Sequence, residues 1–451
     1  MKRSVFIAIL LMGCVAVFAA DYEMSFDGMR YVGTVEKTFS VSKGGSLDMK
    51  DIEGDVSIIG EARKDVEIVE RFRINSYSEA SARQIFANDR SRYLHKGNNV
   101  IVKGSAGSRR YECDFLVRVP VEFMVGVDVS GGDVDVESIQ GDVSVETSGG
   151  DVEVLSVRGN TDVHTSGGDV TVEDGTGDLR AVTSGGDIIV DRITGQVYIK
   201  TSGGDISASQ VIGAGEIATS GGDIDLVDLQ GDRFDVRTSG GDIGVDRIKA
   251  DVSLTTSGGD VFVGSVSGNL DLYTSGGDIE VDAVDKNLDA RTSGGDIEIG
   301  EVGGRCQLKT SGGDIELVAA QGDAEVRTSG GDILISSVVG SIWAETSGGN
   351  VEVTKAYRRG SKHNDVDISS SGGDILVYLP DEMQADIYAE ISIRDRWEDN
   401  EIRSDIPLEI SRFEKGSRIF LVGEGDMNGG GDEVVLKTSD GDIKIVRILD
   451  K

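Results

Sequence analysis

The phrase Ser-Gly-Gly-Asp returns along this chain with a fixed period. Its aspartates fall at Asp133, Asp151, Asp169, Asp187, Asp205, Asp223, Asp242, Asp260, Asp278, Asp296, Asp314 and Asp332, and Asn350 takes the next place. Every step is 18 residues except that from Asp223 to Asp242, which is 19. The extra residue lies in Gly231-Asp232-Arg233-Phe234-Asp235-Val236. Self-similarity of this kind marks a repeat architecture and overrides a domain count based on length.

The spacing of apolar residues inside one unit sets the local structure. After the motif comes Val or Ile (Val134, Val152, Ile188, Ile279). Two residues on is another apolar side chain (Val136, Val190, Val281), and three further on a third (Ile139, Val157, Val284). A second alternating pair follows, as in Val143/Val145 and Leu270/Leu272, and Thr147, Thr165, Thr183 and their equivalents lead into the next motif. Alternation with β-branched residues predicts strands, and recurrent glycine pairs disfavour helix. Two breaks punctuate each unit: Ser-Gly-Gly-Asp, and usually Gly-Asp or Gly-Asn, as at Gly141-Asp142 and Gly159-Asn160. Glycines such as Gly149, Gly150, Gly167, Gly168, Gly185 and Gly186 are expected to supply positive φ at the turns.

Eighteen residues cannot bury an apolar face alone, but stacked coils can. The pattern predicts an all-β fold: a parallel β-solenoid, or β-helix, of 18-residue coils capped at both ends. Coils stacked at ~4.8 Å would carry the aspartates through roughly 58 Å. Right-handed coiling is the expectation for parallel crossovers. Pro120, Pro380 and Pro407, the chain's 3 prolines, all lie outside the repeats, where no hydrogen bond between coils is lost. The abundance of glycine, 63 residues, is therefore periodic rather than collagenous or disordered.

The chain divides into four segments: a signal peptide over 1–19, irregular β coils with a cap over 20–128, the regular array over 129–379, and a β cap over 380–451. Lys2 and Arg3 precede an apolar run over residues 5–18, and Val17-Phe18-Ala19 suits cleavage after Ala19 or Ala20. Leu11-Met12-Gly13-Cys14 offers a rival lipobox, disfavoured because the apolar run continues past Cys14. No later segment is apolar enough to span a bilayer. Residues 78–93 lack alternation and predict a short helix. Cys113 and Cys306 occupy strand positions that read as small core residues rather than a disulfide. Gly44-Gly45 and Gly54-Asp55 repeat the turn chemistry early on, and Ser439-Asp440-Gly441-Asp442-Ile443 echoes it late.

The Thr-Ser-Gly-Gly-Asp-Ile/Val phrases, the alternating Asp-Ile-Glu-Val runs, the opening Gly44-Gly45-Ser46-Leu47 with Gly54-Asp55-Val56-Ser57-Ile58, and the ending Leu436-Lys437-Thr438-Ser439-Asp440-Gly441-Asp442-Ile443 together resemble a bacterial family of β-strand-repeat proteins. That family is described as candidate adhesins of unknown function. The resemblance covers most of the chain after the signal. It implies a β-repeat fold and brings no catalytic or binding residues with it.

A net charge of −35 makes nucleic acid and anionic membrane surfaces poor partners. The aspartate column is the obvious candidate site. Asp151, Asp169, Asp187, Asp205, Asp260, Asp278, Asp296 and Asp314 would stand ~4.8 Å apart. Such a row attracts cations, and calcium suits hard oxygen ligands. The calcium-binding nonapeptide phrase Gly-Gly-x-Gly-x-Asp is absent from these units. Asn350 in the same column favours a turn role, because asparagine keeps the acceptor and loses the charge. His95, His164 and His363 share no spacing, and paired carboxylates prove little in a chain with 80 acids. Tyr357, Arg358, Arg359 and Trp397 form a candidate contact surface or part of the cap. The expectation is an exported, non-enzymatic adhesin-like or envelope scaffold with no cofactor, binding a cell-surface glycan or an envelope protein. A calcium-responsive module is the alternative, and a polysaccharide-active enzyme comes third.

Overall fold

The computed structural model describes residues 22–104, 110–358, 364–394 and 399–448. The signal segment, Arg359, His363 and Trp397 lie outside them. The described chain is an all-β repeat with one short helix, its strands stacked in regular parallel register. One coil shows the principle. Strand Ile279–Val284 pairs with Ile297–Val302 through Ile279↔Ile297, and Leu288–Arg291 pairs with Cys306–Lys309 through Leu288↔Cys306. Both offsets equal the sequence period, so identical side chains form columns. Ile279, Val281, Val284, Leu288 and Ala290 point inward and are buried, each above its equivalent in the coil before. Cys306 sits in the Leu288 column, and both Cys306 and Cys113 are free and buried. Burial pushes the Cys306 thiol up to about 12.

The 19-residue unit is absorbed as a bulge. Gly213 pairs with Gly231 but Gly215 with Phe234, and in the next coil Gln230 pairs with Lys249 but Arg233 with Asp251. The corner geometry changes at the same place. Ser138, Ser156, Asp174, Arg192, Gln210 and Asp228 form a column of left-handed residues, with φ between 52° and 64°, that stops at this unit.

The two ends depart from simple stacking, and in the same way. Strands Gly45–Ile52 and Val56–Glu61 form a coil that lies between two later ones. On one side are Asn99–Lys103 and Tyr111–Pro120, and on the other Phe123–Val129 and Val134–Glu137. At the far end Asp432–Ser439 and Ile443–Ile448 insert between two earlier coils. Their neighbours are Val366–Ser370 with Ile375–Pro380, and Ala385–Ile393 with Ile402–Ser404. Outside the interleaved coils the ladders turn antiparallel. Glu23–Phe26, Tyr31–Ser40 and Asp65–Ile74 extend from Tyr111–Pro120, while Arg418–Met427 and Glu409–Lys415 extend from Ala385–Ile393. Antiparallel hairpins end a parallel stack without offering the next coil a matching edge.

The helix is shorter than the sequence pattern predicts. It runs Glu79–Asp89, started by Ser78, whose hydroxyl accepts the N–H of Ser81 at 3.3 Å. Ala82 and Phe86 anchor it. Tyr93 instead belongs to strand Arg92–Lys96, paired antiparallel with Asn99–Lys103.

Candidate functional site

The aspartate column is a hydrogen-bond ladder. The backbone N–H of Asp187 donates to Asp169 Oδ1 at 2.8 Å, and that of Asp205 donates to Asp187 Oδ1 at 2.8 Å. The same bond links Asp151 to Asp133, Asp260 to Asp242, Asp278 to Asp260, Asp296 to Asp278 and Asp314 to Asp296. Asn350 takes part as both donor and acceptor: its N–H reaches Asp332 Oδ1 at 2.6 Å, and its Oδ1 accepts from Asp374 at 2.9 Å. Each carboxylate thus engages one oxygen in joining its coil to the next, a charge-assisted bond to an amide. All the named candidate aspartates stand in this one column. Among the described residues, no group of three or more His, Cys, Asp or Glu side chains is arranged to hold a metal ion.

The motif glycines have a different reason from the one the sequence suggests. Gly149, Gly150, Gly167, Gly168, Gly185 and Gly186 are not in the left-handed region. The second glycine of each pair is required by close approach. A Cβ on Gly168 would stand 2.0 Å from the Gly150 carbonyl oxygen, and one on Gly186 2.1 Å from that of Gly168. The first glycine is far freer: a Cβ on Gly167 would meet nothing nearer than 3.8 Å.

Sequence reasoning noted the threonine before each motif without assigning it a role. Thr183 is buried; its hydroxyl donates to Gly168 O at 2.9 Å and accepts the Gly186 N–H at 3.3 Å. Thr201, Thr256, Thr274 and Thr292 repeat both bonds. The bulk of one coil therefore bears on the turn of the coil before, and the tight glycine contact is closed by a hydroxyl. A second, interrupted ladder runs along the other turn, from Asp142 through Asn160 and Asp178 to Gln196, and again from Asp251 through Asn269 and Asn287 to Arg305.

Two buried charged residues were not legible in the sequence. Lys355 faces Val338 where the coil spacing breaks, and its Nζ donates to the carbonyls of Val338, Val339 and Ala356 at 3.0, 2.7 and 2.7 Å. Burial lowers its pKa to about 8. Glu70, fully buried on strand Asp65–Ile74, accepts from the hydroxyls of Ser91 and Tyr111, each at 2.7 Å, and from Tyr93. Burial first, and then the nearby Glu70 charge, push both tyrosine hydroxyls up. With the Glu70 carboxylate buried and held by three hydroxyls, this cluster is a satisfied structural node.

The remaining candidates are not brought together. His164 faces outward in the column that carries Lys200, and His95, on strand Arg92–Lys96, lies against Phe39. Tyr357, expected to be exposed, packs against the core, and Arg358 reaches Gln321 at 3.4 Å. An open groove of about 930 Å³ crosses the sheet of strands Val143–Thr147, Thr161–His164, Leu179–Val182 and Val197–Lys200, lined by Met124, Ser144, Asp162, Arg180, Tyr198 and Glu216 among others. Arg180 lies 4.8 Å from the Tyr198 ring centre and 3.7 Å from Asp162. Among the described residues no helix is long and apolar enough to cross a membrane.

The family model described as Toastrack DUF4097 matches residues 211–329, the part of the array that includes the 19-residue unit. No curated protein matches the chain. Among solved structures, a candidate adhesin from Bacteroides fragilis is 13% identical, with 61% of this chain and 96% of that one covered and a TM-score of 0.22. A candidate cell adhesion protein from Clostridium sporogenes is 9% identical, covering 92% and 100%, with a TM-score of 0.14. A candidate lipid binding protein from Parabacteroides distasonis is 15% identical, covering 70% and 97%, with a TM-score of 0.22.

Proposed function

We propose that the chain is a parallel β-solenoid of 18-residue coils, capped at both ends, that works as an exported, non-enzymatic adhesin-like or cell-envelope scaffold. One observation carries this reading: the polar groups of the repeated motif are engaged in joining coil to coil. The Asp187 carboxylate and the Thr183 hydroxyl both bond backbone of a neighbouring coil. A motif used that way builds length and stiffness rather than a reaction centre. The leading basic and apolar segment supports export. The groove beside Tyr198 is the place to seek a glycan or envelope partner.

Cell fractionation and a glycan and cell-surface panel test the two halves of the proposal. A cytosolic location sinks export, and silence across the panel, unchanged in Tyr198→Ala, sinks adhesion. The competing calcium reading draws on the second oxygen of each ladder carboxylate, which no hydrogen bond of the ladder engages. Calorimetry with calcium, and melting with and without chelator, decides between them: no heat and no change in melting exclude calcium.

A further inference from the structure

The two sheets of the repeat array differ in what they show to solvent. On the sheet built from the strands that follow each motif, Val134–Glu137 through Val351–Lys355, the two alternating outward positions after each motif hold twelve acids and neither Lys nor Arg, while Arg192 and Arg247 stand at the corner beyond and pair with Glu173, Asp191 and Asp246. The outward positions of the other sheet, from Val143–Thr147 to Ile342–Thr346, hold six cations: Arg180, Lys200, Arg237, Arg291, Lys309 and Arg327. Net acidity alone would not keep cations off the alternating outward positions of one sheet and admit six to those of the other.

The acid-bearing sheet is also the one that exposes large apolar side chains in series. Ile189, Val227, Phe262, Val318 and Leu334 are each 37–47% exposed. Phe262 sits in a built depression. Its partner in the previous coil is Gly244, and Gly264 follows on the same strand, so two outward positions carry no side chain. The gap is a recess of about 350 Å³, rimmed by Asp225, Asp246, Glu280 and Asp282. Arg247 reaches Asp246 from the corner at 3.5 Å. Asp225, Glu280, Asp282, Glu298 and Glu316 have no ion pair among the described residues. Glu280, Glu298 and Glu316 occupy equivalent places in three successive coils.

We propose that this face docks a Lys/Arg-rich polypeptide that also carries apolar side chains. Charge complementarity selects the partner's sign, because Asp225, Glu280, Asp282, Glu298 and Glu316 stay uncompensated and the cations at this face, Arg192 and Arg247, are held at its corner by other acids. The recess selects its amphipathic character. A Lys or Arg stem lying on the exposed Phe262 ring would place its charge among the rim carboxylates, joining a cation–π contact to ion pairs. The apolar series along the sheet takes the partner's apolar side chains. A second copy of this chain is disfavoured by its own net charge of −35. The proposal needs only the fold, and stands or falls apart from the adhesin-like role.

The test uses the full chain and two fluorescent peptides of equal charge, one alternating Lys with Val and one alternating Lys with Ser, with binding read by anisotropy. The expected result is binding of the Lys/Val peptide about tenfold tighter than the Lys/Ser peptide, with that preference lost in Phe262→Ser/Val318→Ser. The triple variant Glu280→Lys/Glu298→Lys/Glu316→Lys should abolish binding. Glu146→Lys/Asp271→Lys/Asp367→Lys makes the same change of net charge on the other sheet, outside the groove beside Tyr198, and should leave binding nearly intact. Circular dichroism confirms that each variant is folded. Equal loss in the two triple variants, equal affinity for the two peptides, or sedimentation showing the face covered by a second copy would overturn the proposal.

Discussion

The backbone N–H of Asp442 donates to the Asp374 carboxylate at 2.8 Å, although 68 residues separate them. At the other end the Asp133 N–H reaches Asp55 at 3.1 Å across 78 residues. The aspartate ladder therefore continues through both interleaved coils, where chain order and stacking order part.

The two glycines of one motif should respond differently to the same change. Gly168→Ala forces a Cβ to 2.0 Å from a carbonyl oxygen in the neighbouring backbone, so the coils must part. A loss of about 3 kcal/mol is expected. Gly167→Ala finds open space and should shift stability by under about 1 kcal/mol. Denaturant melts of the two variants compare them directly, and equal losses would refute the close-approach account.

The ladder predicts that charge is dispensable and the acceptor is not. Asp187→Asn keeps an oxygen for the Asp205 N–H and should melt within a degree or two of the parent, as Asn350 does this work natively. Asp187→Ala leaves that N–H without its partner and should cost about 1 kcal/mol. Thermal melts that rank Asn with Ala would show the negative charge itself to be needed.

Lys355 gives stability a signature in alkali. Its folded pKa of about 8 lies below its ordinary 10.5, so between these values the unfolded chain binds more protons than the folded one. This group's contribution therefore rises as pH climbs from about 8 to 10.5, and its burial penalty is fully present below 8. Relative to Lys355→Met, the parent should gain about 3 kcal/mol across that window. Parallel denaturant titrations at several pH values measure it, and a flat difference would rule out a buried charge.

Asp135 should act in acid, with the opposite sign. Loss of water, and then repulsion from Glu153, Asp133 and Asp55, push its carboxyl up to about 6. With the folded value raised, stability falls as pH rises from about 4 to 6. Asp135→Asn should stabilise the protein at pH 7 by about 1 kcal/mol, allowing for solvent screening, and the gain should vanish below pH 4. Melting curves across this range test it.

How much could be read beforehand follows from how local each signal is. The inward positions Ile279, Val281, Val284 and Leu288, the extra residue of the 19-residue unit, and the helix near Ser78 all announce themselves within a few residues of chain. The Thr183 hydroxyl could be placed but not explained, because its acceptor Gly168 lies in the previous coil. The glycines were assigned to positive φ because that need is local, whereas the contact that requires Gly168 comes from Gly150, one whole coil earlier. The exchange of coil order at the ends left no mark: Gly54-Asp55 and Gly441-Asp442 look like any other turn, and nothing near them says which coil lies above or below.

The interleaved ends give the stack a foundation and a keystone. Residues 45–61 are made early, yet stay half-paired until Asn99–Lys103 with Tyr111–Pro120, and Phe123–Val129 with Val134–Glu137, close on them from opposite sides. At the far end strands Ala385–Ile393 and Ile402–Ser404 must wait with one side open, and the gap is shut only by residues 432–448, made after both of its walls. A chain that is synthesised from one end cannot finish this structure in the order it is made. Loss of that late segment would leave two bare strand edges facing each other across an empty course.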